Sequence, residues 1–201
     1  NTGGMGAYSP SFLISDDTEN KIINKIIKPT LNGMKDLGCT YKGILYAGLM
    51  IKNSEPKLIE YNIRFGDPEC QILMMRLKND LIELIISTLN GTLKDKKIGW
   101  KNEPGITIVG VSKGYPDKYE KFKELKNIST FTNNENKQLF HAGTLKKKDG
   151  KIYSAGGRVI NSTVISDSLK QARDQALETL DNLDWENKYY RRDIGYKVID
   201  K

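Results

Sequence analysis

The spacing of hydrophobic positions predicts three helical segments in this chain. Isoleucines recur at helical intervals within residues 16–28. Pro29 is expected to interrupt that helix because proline disrupts a helix interior, and the helix is expected to resume over residues 31–37 and to stop at Gly38. The apolar positions of residues 69–89 keep the same period, so one long amphipathic helix is predicted there. A stripe of alanines and leucines over residues 168–183 predicts the third helix.

Runs of β-favouring apolar residues predict strands on both sides of the long helix. Residues 43–51 and 57–63 are expected to pair across a polar turn at residues 53–56. Two of the later strands are expected to join at the turn Asp149-Gly150. The later strands are predicted at residues 106–112, 139–146, 151–154 and 158–165.

A polar, lysine-rich stretch at residues 94–103 separates two parts of the chain that differ in pattern. The part before it contains long helices and one strand pair, and the part after it contains several strands and one helix. We therefore expect an α/β (α+β) fold in two domains, residues 1–97 and residues 98–201.

The composition of the 201 residues narrows the class of protein. With 38% hydrophobic and 28% charged residues, the chain has the profile of a globular protein, and no apolar run reaches the about 18–20 residues of a membrane span. The net charge of +7 is spread along the chain, and residues 146–148 form its one run of lysines. Nucleic-acid binding would need a concentrated basic face. We therefore expect no membrane and no nucleic acid as partners.

Several residues that could carry chemistry are given structural interpretations. Two cysteines and no signal-peptide pattern predict a reduced, cytoplasmic protein, and Cys70 is expected to be a half-buried, inert thiol. His141, the only histidine, is expected to be a hydrogen-bonded structural residue. The aromatic and basic segment 189–192 is expected to dock onto its own domain.

The strongest candidate for chemistry is the polar run that ends the second strand. Glu60 and Asn62 are two residues apart, so their side chains share one face of a strand, and Arg64 continues that face if the strand extends to it. A carboxylate and an amide oxygen suit Mg²⁺, and a guanidinium group can bind a phosphate. A solvent-facing polar strand is the alternative. The side chains expected to point the other way, into a core, are Ile59, Tyr61 and Ile63.

Two glycine-containing segments are further candidate ligand sites. The loop Thr2-Gly3-Gly4-Met5-Gly6 allows backbone N–H groups to approach a phosphate or carboxylate closely, and a plain flexible loop is the alternative. Gly66-Asp67-Pro68 is a turn signal. The helix predicted from Glu69 would present its amino end to an anion.

The same segments carry a resemblance to a known family. Residues 64–71 read Arg-Phe-Gly-Asp-Pro-Glu-Cys-Gln, which matches the signature R-F-G-D-P-E-x-Q/E of the phosphoribosylamine–glycine ligases, or glycinamide ribonucleotide synthetases. Residues 1–10 resemble the glycine-rich substrate loop of these ATP-grasp enzymes. Further similar segments lie at residues 41–50, 140–144, 156–159 and 190–195. From its first residue to its last, the chain resembles the carboxy-terminal part of the family.

The resemblance implies an ATP-dependent ligase of purine biosynthesis. Its members join glycine to 5-phosphoribosylamine, giving glycinamide ribonucleotide, ADP and phosphate through glycyl phosphate. For the fold, the resemblance implies that residues 1–97 are the carboxy-terminal part of an ATP-grasp domain. Residues 98–201 would then be a small α+β carboxy-terminal domain.

The resemblance also assigns roles by position. Glu60 and Asn62 would hold Mg²⁺ or Mn²⁺ between the phosphates of ATP, and Arg64 would be the catalytic residue that offsets charge on the transferring phosphoryl group. Many ATP-grasp enzymes carry another metal-binding carboxylate on the preceding strand. Residues 43–52 contain no Asp or Glu, so any second metal ion would need its ligand elsewhere. The residues expected to face the substrates are Gly3, Gly4, Met5, Gly6, Gly66, Asp67, Pro68 and Glu69.

The chain opens inside its glycine-rich motif at Asn1, which leads us to expect a piece of a longer enzyme. Its expected partners are ATP, glycine, 5-phosphoribosylamine and the missing amino-terminal half of the same enzyme. Alone, it is expected to fold in part, to expose an apolar face and to be inactive. Two alternatives remain open: a non-catalytic binding module that keeps the fold, and an ATP-grasp ligase for another carboxylate.

Overall fold

The structure is a computed structural model that describes residues 2–199, so Asn1 of the glycine-rich motif lies outside the described residues. Its strands are β1 (Gly6–Ser9), β2 (Tyr46–Lys52), β3 (Glu55–Asn62), β4 (Gly105–Ser112), β5 (Lys137–His141), β6 (Thr144–Lys146), β7 (Ile152–Ser154), β8 (Arg158–Ile165) and β9 (Lys188–Tyr189). Its α-helices are α1 (Asp16–Ile22), α2 (Lys28–Asp36), α3 (Glu69–Arg76), α4 (Leu81–Asn90), α5 (Leu169–Asn182) and α6 (Tyr196–Ile199).

These elements form two compact units, each made of separate segments of the chain. The sheet unit contains residues 2–10, 67–77 and 101–199, and the hairpin unit contains residues 11–66 and 78–100. The division expected from the sequence at residue 97 does not describe this packing. The reason is strand pairing: β1 hydrogen-bonds to β4 with Gly6 opposite Ile108, which places the first segment in the later sheet.

The sheet unit is built on an antiparallel sheet of order β1-β4-β8-β5, in which β9 also pairs with β4. Every residue of β4 is buried, because helices cover both faces of the sheet. Val164 packs in one cluster with Ala176 and Leu180 of α5, whereas the next residue, Ile165, packs with Ile72 of α3. Since neighbouring strand residues point to opposite faces, α3 and α5 lie on opposite sides of the sheet.

Most later elements of the sheet unit confirm the pattern-based prediction. The strands at residues 106–112 and 158–165 and the helix at residues 168–183 all form, within one residue at either end. Ser168 caps α5, because its hydroxyl accepts a hydrogen bond from the Gln171 N–H at 3.2 Å. The strand predicted over residues 139–146 is instead divided into β5 and β6. It is divided at Gly143, where a Cβ would lie 2.7 Å from the Cα of Gly156.

The single long helix predicted over residues 69–89 is wrong, because the chain breaks it at residues 77–80. Leu77 is extended, and the Asp80 carboxylate accepts hydrogen bonds from the N–H groups of Ile82 and Glu83 at 2.7 and 3.3 Å. Asp80 therefore starts a new helix, α4, as an amino-terminal cap. The apolar period continues across the break, and α3 and α4 belong to different units.

The helix interruption predicted at Pro29 is also wrong. A π-helical turn over Ile23–Ile27 joins α1 to α2, and the Lys28 N–H reaches back to the Ile23 carbonyl. Pro29 is the second residue of α2 and directly follows this wider turn, so the helical run continues past a residue that has no N–H to donate.

In the hairpin unit, β2 and β3 pair across a tight turn at Asn53 and Ser54, whose φ values of 52° and 59° suit a type I′ turn. The expectation that Ile59 and Ile63 point into a core is wrong, since they are 63% and 77% exposed. Tyr61 alone on this face is partly covered, with its hydroxyl 2.6 Å from that of Thr30. A single hairpin has too few neighbouring elements to bury both faces.

The hairpin unit exposes many large apolar side chains, as expected for an apolar face. Its exposed members include Leu58, Ile59, Ile63, Ile82, Ile85, Ile86, Leu89 and Trp100. Among the described residues, no helix has the length and apolarity needed to cross a membrane.

A buried arginine ties three segments of the sheet unit together. Arg76 donates to the carbonyls of Glu103 and Lys101 at 3.0 and 2.7 Å and to the Ser9 hydroxyl at 2.6 Å. Burial lowers the pKa of its guanidinium, although the charge is retained. All three partners are neutral groups, so Arg76 serves as a multiple hydrogen-bond donor.

Replacing Arg76 by Met is expected to destabilise the sheet unit by about 3 kcal/mol, because three hydrogen-bond acceptors lose the donor that they bond in the folded protein. Urea unfolding followed by circular dichroism measures this change. Arg191→Met is the matched control, since it removes an ion pair with Asp193 near the surface and should cost about 1 kcal/mol or less. Equal losses in the two variants would contradict the prediction.

Candidate active site

The polar end of β3 brings together the residues predicted as metal ligands. The Asn62 side-chain N–H donates to Glu60 Oε1 at 3.2 Å, and Arg64 donates to Asn62 Oδ1 at 3.4 Å and to the Phe65 carbonyl at 2.8 Å. The predicted placement of Glu60 and Asn62 on one face is therefore confirmed, whereas β3 ends at Asn62 and Arg64 reaches Asn62 from the bend that follows the strand. Their roles in binding a metal and a phosphate stay a prediction.

The strand beside this face places no side chain against Glu60. Gly48 of β2 lies opposite Glu60, and a Cβ on Gly48 would come within 3.1 Å of Glu60 Cγ. Within residues 2–199, no cluster of three or more His, Cys, Asp or Glu residues is found. The donor set of Glu60 and Asn62, two adjacent hard oxygen ligands, fits a divalent cation that takes its other ligands from substrate phosphates.

The glycine-rich loop is anchored to the sheet unit by Met5. Met5 is 2% exposed and packs with Val109 and Val111, and its carbonyl accepts the Val109 N–H at 3.2 Å. The Met5 side chain is therefore part of the hydrophobic core, and only the Met5 backbone is available to a substrate. A Cβ on Gly3 would meet no atom within 4 Å, so the loop is open to a ligand at that residue.

Asp67 opens the turn before α3, where the signature segment enters the sheet unit. Pro68 is buried and precedes the first helical residue, Glu69, so the predicted start of this helix is confirmed. Asp67 Oδ1 accepts a hydrogen bond of 3.4 Å from Gln71, one turn later in the helix. The Asp67 carboxylate is thus held at the amino end of α3 and remains half exposed.

Arg158 joins the two predicted substrate segments of the sheet unit, although no role in a site is predicted for the similar segment at residues 156–159 that contains it. It donates to the Asp67 carbonyl at 2.7 Å, to Asp67 Oδ2 at 2.8 Å and to the Gly4 carbonyl at 3.4 Å. Gly4 has φ +78°, and a Cβ there would lie 2.8 Å from Arg158 Nη1. A sequence signal existed: Arg158 is the charged residue that opens a strand whose other residues are buried.

The other candidate residues behave as structural groups. Cys70 is half-buried, and burial together with the negative charge of Asp67 raises the pKa of its thiol. His141 lies 2.9 Å from the Thr144 hydroxyl through Nδ1. In the tail, Arg192 and the Tyr190 hydroxyl both bind the Asp181 carboxylate on α5, so the predicted docking of this segment is confirmed.

Because its thiol pKa is raised, Cys70 should react with iodoacetamide at pH 7.5 at least about tenfold more slowly than exposed Cys39. Only the thiolate reacts, and a raised pKa lowers the thiolate fraction at this pH. Peptide mass spectrometry over time measures both rates within one sample. In urea the two rates should converge, and equal rates in the folded chain would contradict the assignment.

Comparisons with known proteins agree with this geometry. A family model described as phosphoribosylglycinamide synthetase, ATP-grasp (A) domain, matches residues 1–70, which hold the glycine-rich loop and the polar end of β3. A second model, phosphoribosylglycinamide synthetase, C domain, matches residues 105–197. The fold and the two family models therefore define part of an ATP-grasp protein.

Similar proteins share one description. The chain is 43% identical over 201 residues to a phosphoribosylamine–glycine ligase of Brucella melitensis and 40% identical over 202 residues to a chloroplastic one of Arabidopsis thaliana, covering 100% and 99% of this chain. It spans 47% and 38% of the lengths of those relatives. The chain belongs to the phosphoribosylglycinamide synthetase family.

A solved structure supports the same assignment. The crystal structure of a phosphoribosylamine–glycine ligase from Thermotoga maritima matches 96% of this chain with a TM-score of 0.82 and 34% identity, over 46% of its own length. The expected α/β fold, with the ATP-grasp and C-domain parts in this order, is thereby confirmed. The chain spans about half the length of the relatives that it matches.

Proposed function

We propose that the protein containing this chain ligates glycine to 5-phosphoribosylamine, consuming ATP and releasing glycinamide ribonucleotide, ADP and phosphate. One observation carries the proposal. The signature at residues 64–71 follows directly on the oxygen ligands Glu60 and Asn62, which share one face of β3. A ligase for phosphoribosylamine needs such a phosphate- and metal-binding face as well as substrate-binding segments.

At the end of β3, Glu60 and Asn62 are proposed to hold Mg²⁺ or Mn²⁺ together with phosphate oxygens of ATP. Such an ion neutralises charge on the phosphates during phosphoryl transfer. Arg64 keeps its guanidinium next to Asn62 through a 3.4 Å hydrogen bond and adds a fixed positive charge for the transferring phosphoryl group. Little covalent chemistry falls to these side chains, so their contribution is position and charge.

Substrate binding is proposed for two short segments. The backbone of Gly3, Gly4, Met5 and Gly6 offers N–H groups to an anionic substrate group, and Gly66, Asp67, Pro68 and Glu69 supply the turn that faces the amine. The Asp67 carboxylate suits an ammonium or hydroxyl donor, because it is half exposed and fixed on one side. We further propose that residues 1–97 are the carboxy-terminal part of the ATP-grasp domain and that residues 98–201 are a small α+β carboxy-terminal domain, since the two family models match residues 1–70 and 105–197.

The remaining half of the enzyme is proposed as the partner of this chain, because relatives are about twice as long. The whole protein is proposed to act in the cytoplasm as part of purine biosynthesis. Its other partners would be the small molecules ATP, glycine and 5-phosphoribosylamine.

The test is an assay of the full-length protein from the same gene. ADP release should require both glycine and phosphoribosylamine, generated in place from ammonia and ribose 5-phosphate, and should require a divalent cation. Glycinamide ribonucleotide should appear in equal amount by mass spectrometry. ADP release that does not depend on glycine but depends on another carboxylate would overturn glycine as the proposed substrate. A full-length protein that releases no ADP would overturn the proposed ligase activity.

A further inference from the structure

Arg158 holds two distant parts of the chain in one arrangement. Its guanidinium spans the carbonyl and the carboxylate of Asp67, which is 91 residues away, and reaches the carbonyl of Gly4, which is 154 residues away. Arg158 is 27% exposed in its side chain, so these hydrogen bonds are partly shielded from water. The planar fork of an arginine fixes direction as well as distance when it bonds two oxygens of one residue.

The pairing uses one side of the Asp67 carboxylate and leaves the other side accessible. Oδ2 bonds Arg158 at 2.8 Å, whereas Oδ1 accepts a long bond of 3.4 Å from Gln71. The Asp67 side chain is 49% exposed. A carboxylate oxygen can accept more than one hydrogen bond, so Oδ1 keeps capacity for a donor outside the protein.

We propose that Arg158 is a positioning residue of the ligase. It holds Asp67 and the glycine-rich loop so that Asp67 Oδ1 accepts a hydrogen bond from an amino or hydroxyl group of the phosphoribosylamine. This inference rests on the proposed function. Arg158 acts through Asp67, since both of its Nη atoms are engaged by Asp67 and Gly4.

The charge balance supports a positioning role over direct binding of a phosphate. The positive charge of Arg158 is offset by the Asp67 carboxylate at 2.8 Å, so the pair presents an acceptor oxygen and no net charge. Arg64 carries a guanidinium with no carboxylate among its hydrogen-bond partners at Asn62 and Phe65. Arg64 therefore suits the binding of a phosphoryl group, and Arg158 suits the positioning of Asp67.

The sheet unit offers a matched control pair. Arg192 binds both carboxylate oxygens of Asp181 on α5 at 2.9 and 2.7 Å, which is also a close Arg–Asp ion pair, whereas Arg158 bonds one carboxylate oxygen and the carbonyl of Asp67. Neither residue belongs to the glycine-rich loop or the signature segment. A difference between Arg158 and Arg192 variants therefore reports the location of the pair and not the loss of an ion pair in general.

The experiment compares Arg158→Met, Arg158→Lys and Arg192→Met in the full-length protein. For Arg158→Met, kcat/KM for phosphoribosylamine should fall about 10- to 100-fold, as expected for a lost charge-assisted hydrogen bond, while KM for ATP stays within about twofold. Arg158→Lys should recover part of the loss, because lysine restores the charge without the fork. Arg192→Met should match the wild type.

A second measurement does not depend on activity. Amide hydrogen exchange of the peptide containing residues 2–6 should speed up in Arg158→Met and stay unchanged in Arg192→Met. An active wild type in which Arg158→Met and Arg192→Met behave alike in both measurements would overturn this inference alone. A wild type that does not ligate glycine would overturn the proposed function and, with it, the substrate assigned to Asp67.

Discussion

Glu60→Gln in the full-length protein is expected to lower turnover about 10²–10³-fold, because one anionic ligand of the divalent cation is lost. The neutral amide keeps the size of the side chain and its proximity to Asn62, which donates to Glu60 at 3.2 Å. Folding should therefore survive. Steady-state ADP release over a range of Mg²⁺ concentrations measures the effect, and the half-saturating Mg²⁺ concentration should rise.

Glu55→Gln is the control on the same strand. Glu55 is exposed, pairs with Lys21 and Lys25 and starts β3 at the end far from Asn62. Its loss should leave turnover and Mg²⁺ dependence within about twofold, since exposed ion pairs contribute little. Full activity of Glu60→Gln at limiting Mg²⁺ would show that the cation is held by other residues.

The 201-residue chain expressed alone should ligate at least about 10³-fold more slowly than the full-length protein, because positioning of both reactants supplies much of the rate. It spans about half the length of its relatives, and the hairpin unit exposes apolar residues such as Ile82 and Ile86. Glycine-dependent ADP release by equal molar amounts of both proteins measures the ratio.

Far-ultraviolet circular dichroism separates inactivity from misfolding. The isolated chain should show mixed α and β signal, since the sheet unit contains the buried strands β4 and β8 and their covering helices. Mixing the chain with the separately expressed remainder of the enzyme should restore part of the activity. Turnover by the chain alone at an ordinary enzymatic rate, about 1–10³ per second, would show that its own residues complete the ATP site.

Local periodicity was sufficient to predict an element where the burial of one of its faces determines whether it is a helix or a strand. Alternation at Glu60 and Asn62 correctly placed both side chains together, and the stripe of Ala172, Ala176 and Leu180 correctly identified α5. The failure at Asp80 had a local signal too, because an aspartate before an apolar run is a typical helix cap. At Pro29 the chain stays helical through the π-helical turn that precedes the proline, and hydrophobic spacing does not indicate such a turn.

Other features could not be predicted from local pattern because they depend on pairs far apart in the chain. Arg158 and Asp67 are 91 residues apart, and neither position shows a periodicity that indicates the other. The pairing of β1 with β4 joins segments about 100 residues apart. For this reason the domain division expected at residue 97 differs from the two compact units of the structure. The exposure of Ile59 reflects a hairpin with few neighbours, which alternation alone does not reveal.

The pairing of β1 with β4 has a consequence for the order in which a ribosome makes the protein. The glycine-rich loop and Asp67 are synthesised before β4, which pairs with β1, and before Arg158, which bonds both Gly4 and Asp67. Arg158 is the first residue of β8, the strand that pairs with β4 in the same sheet. A nascent chain halted before Arg158 thus carries the substrate segments without the contacts that order them, and these segments become ordered only after the later strands of the sheet have been made.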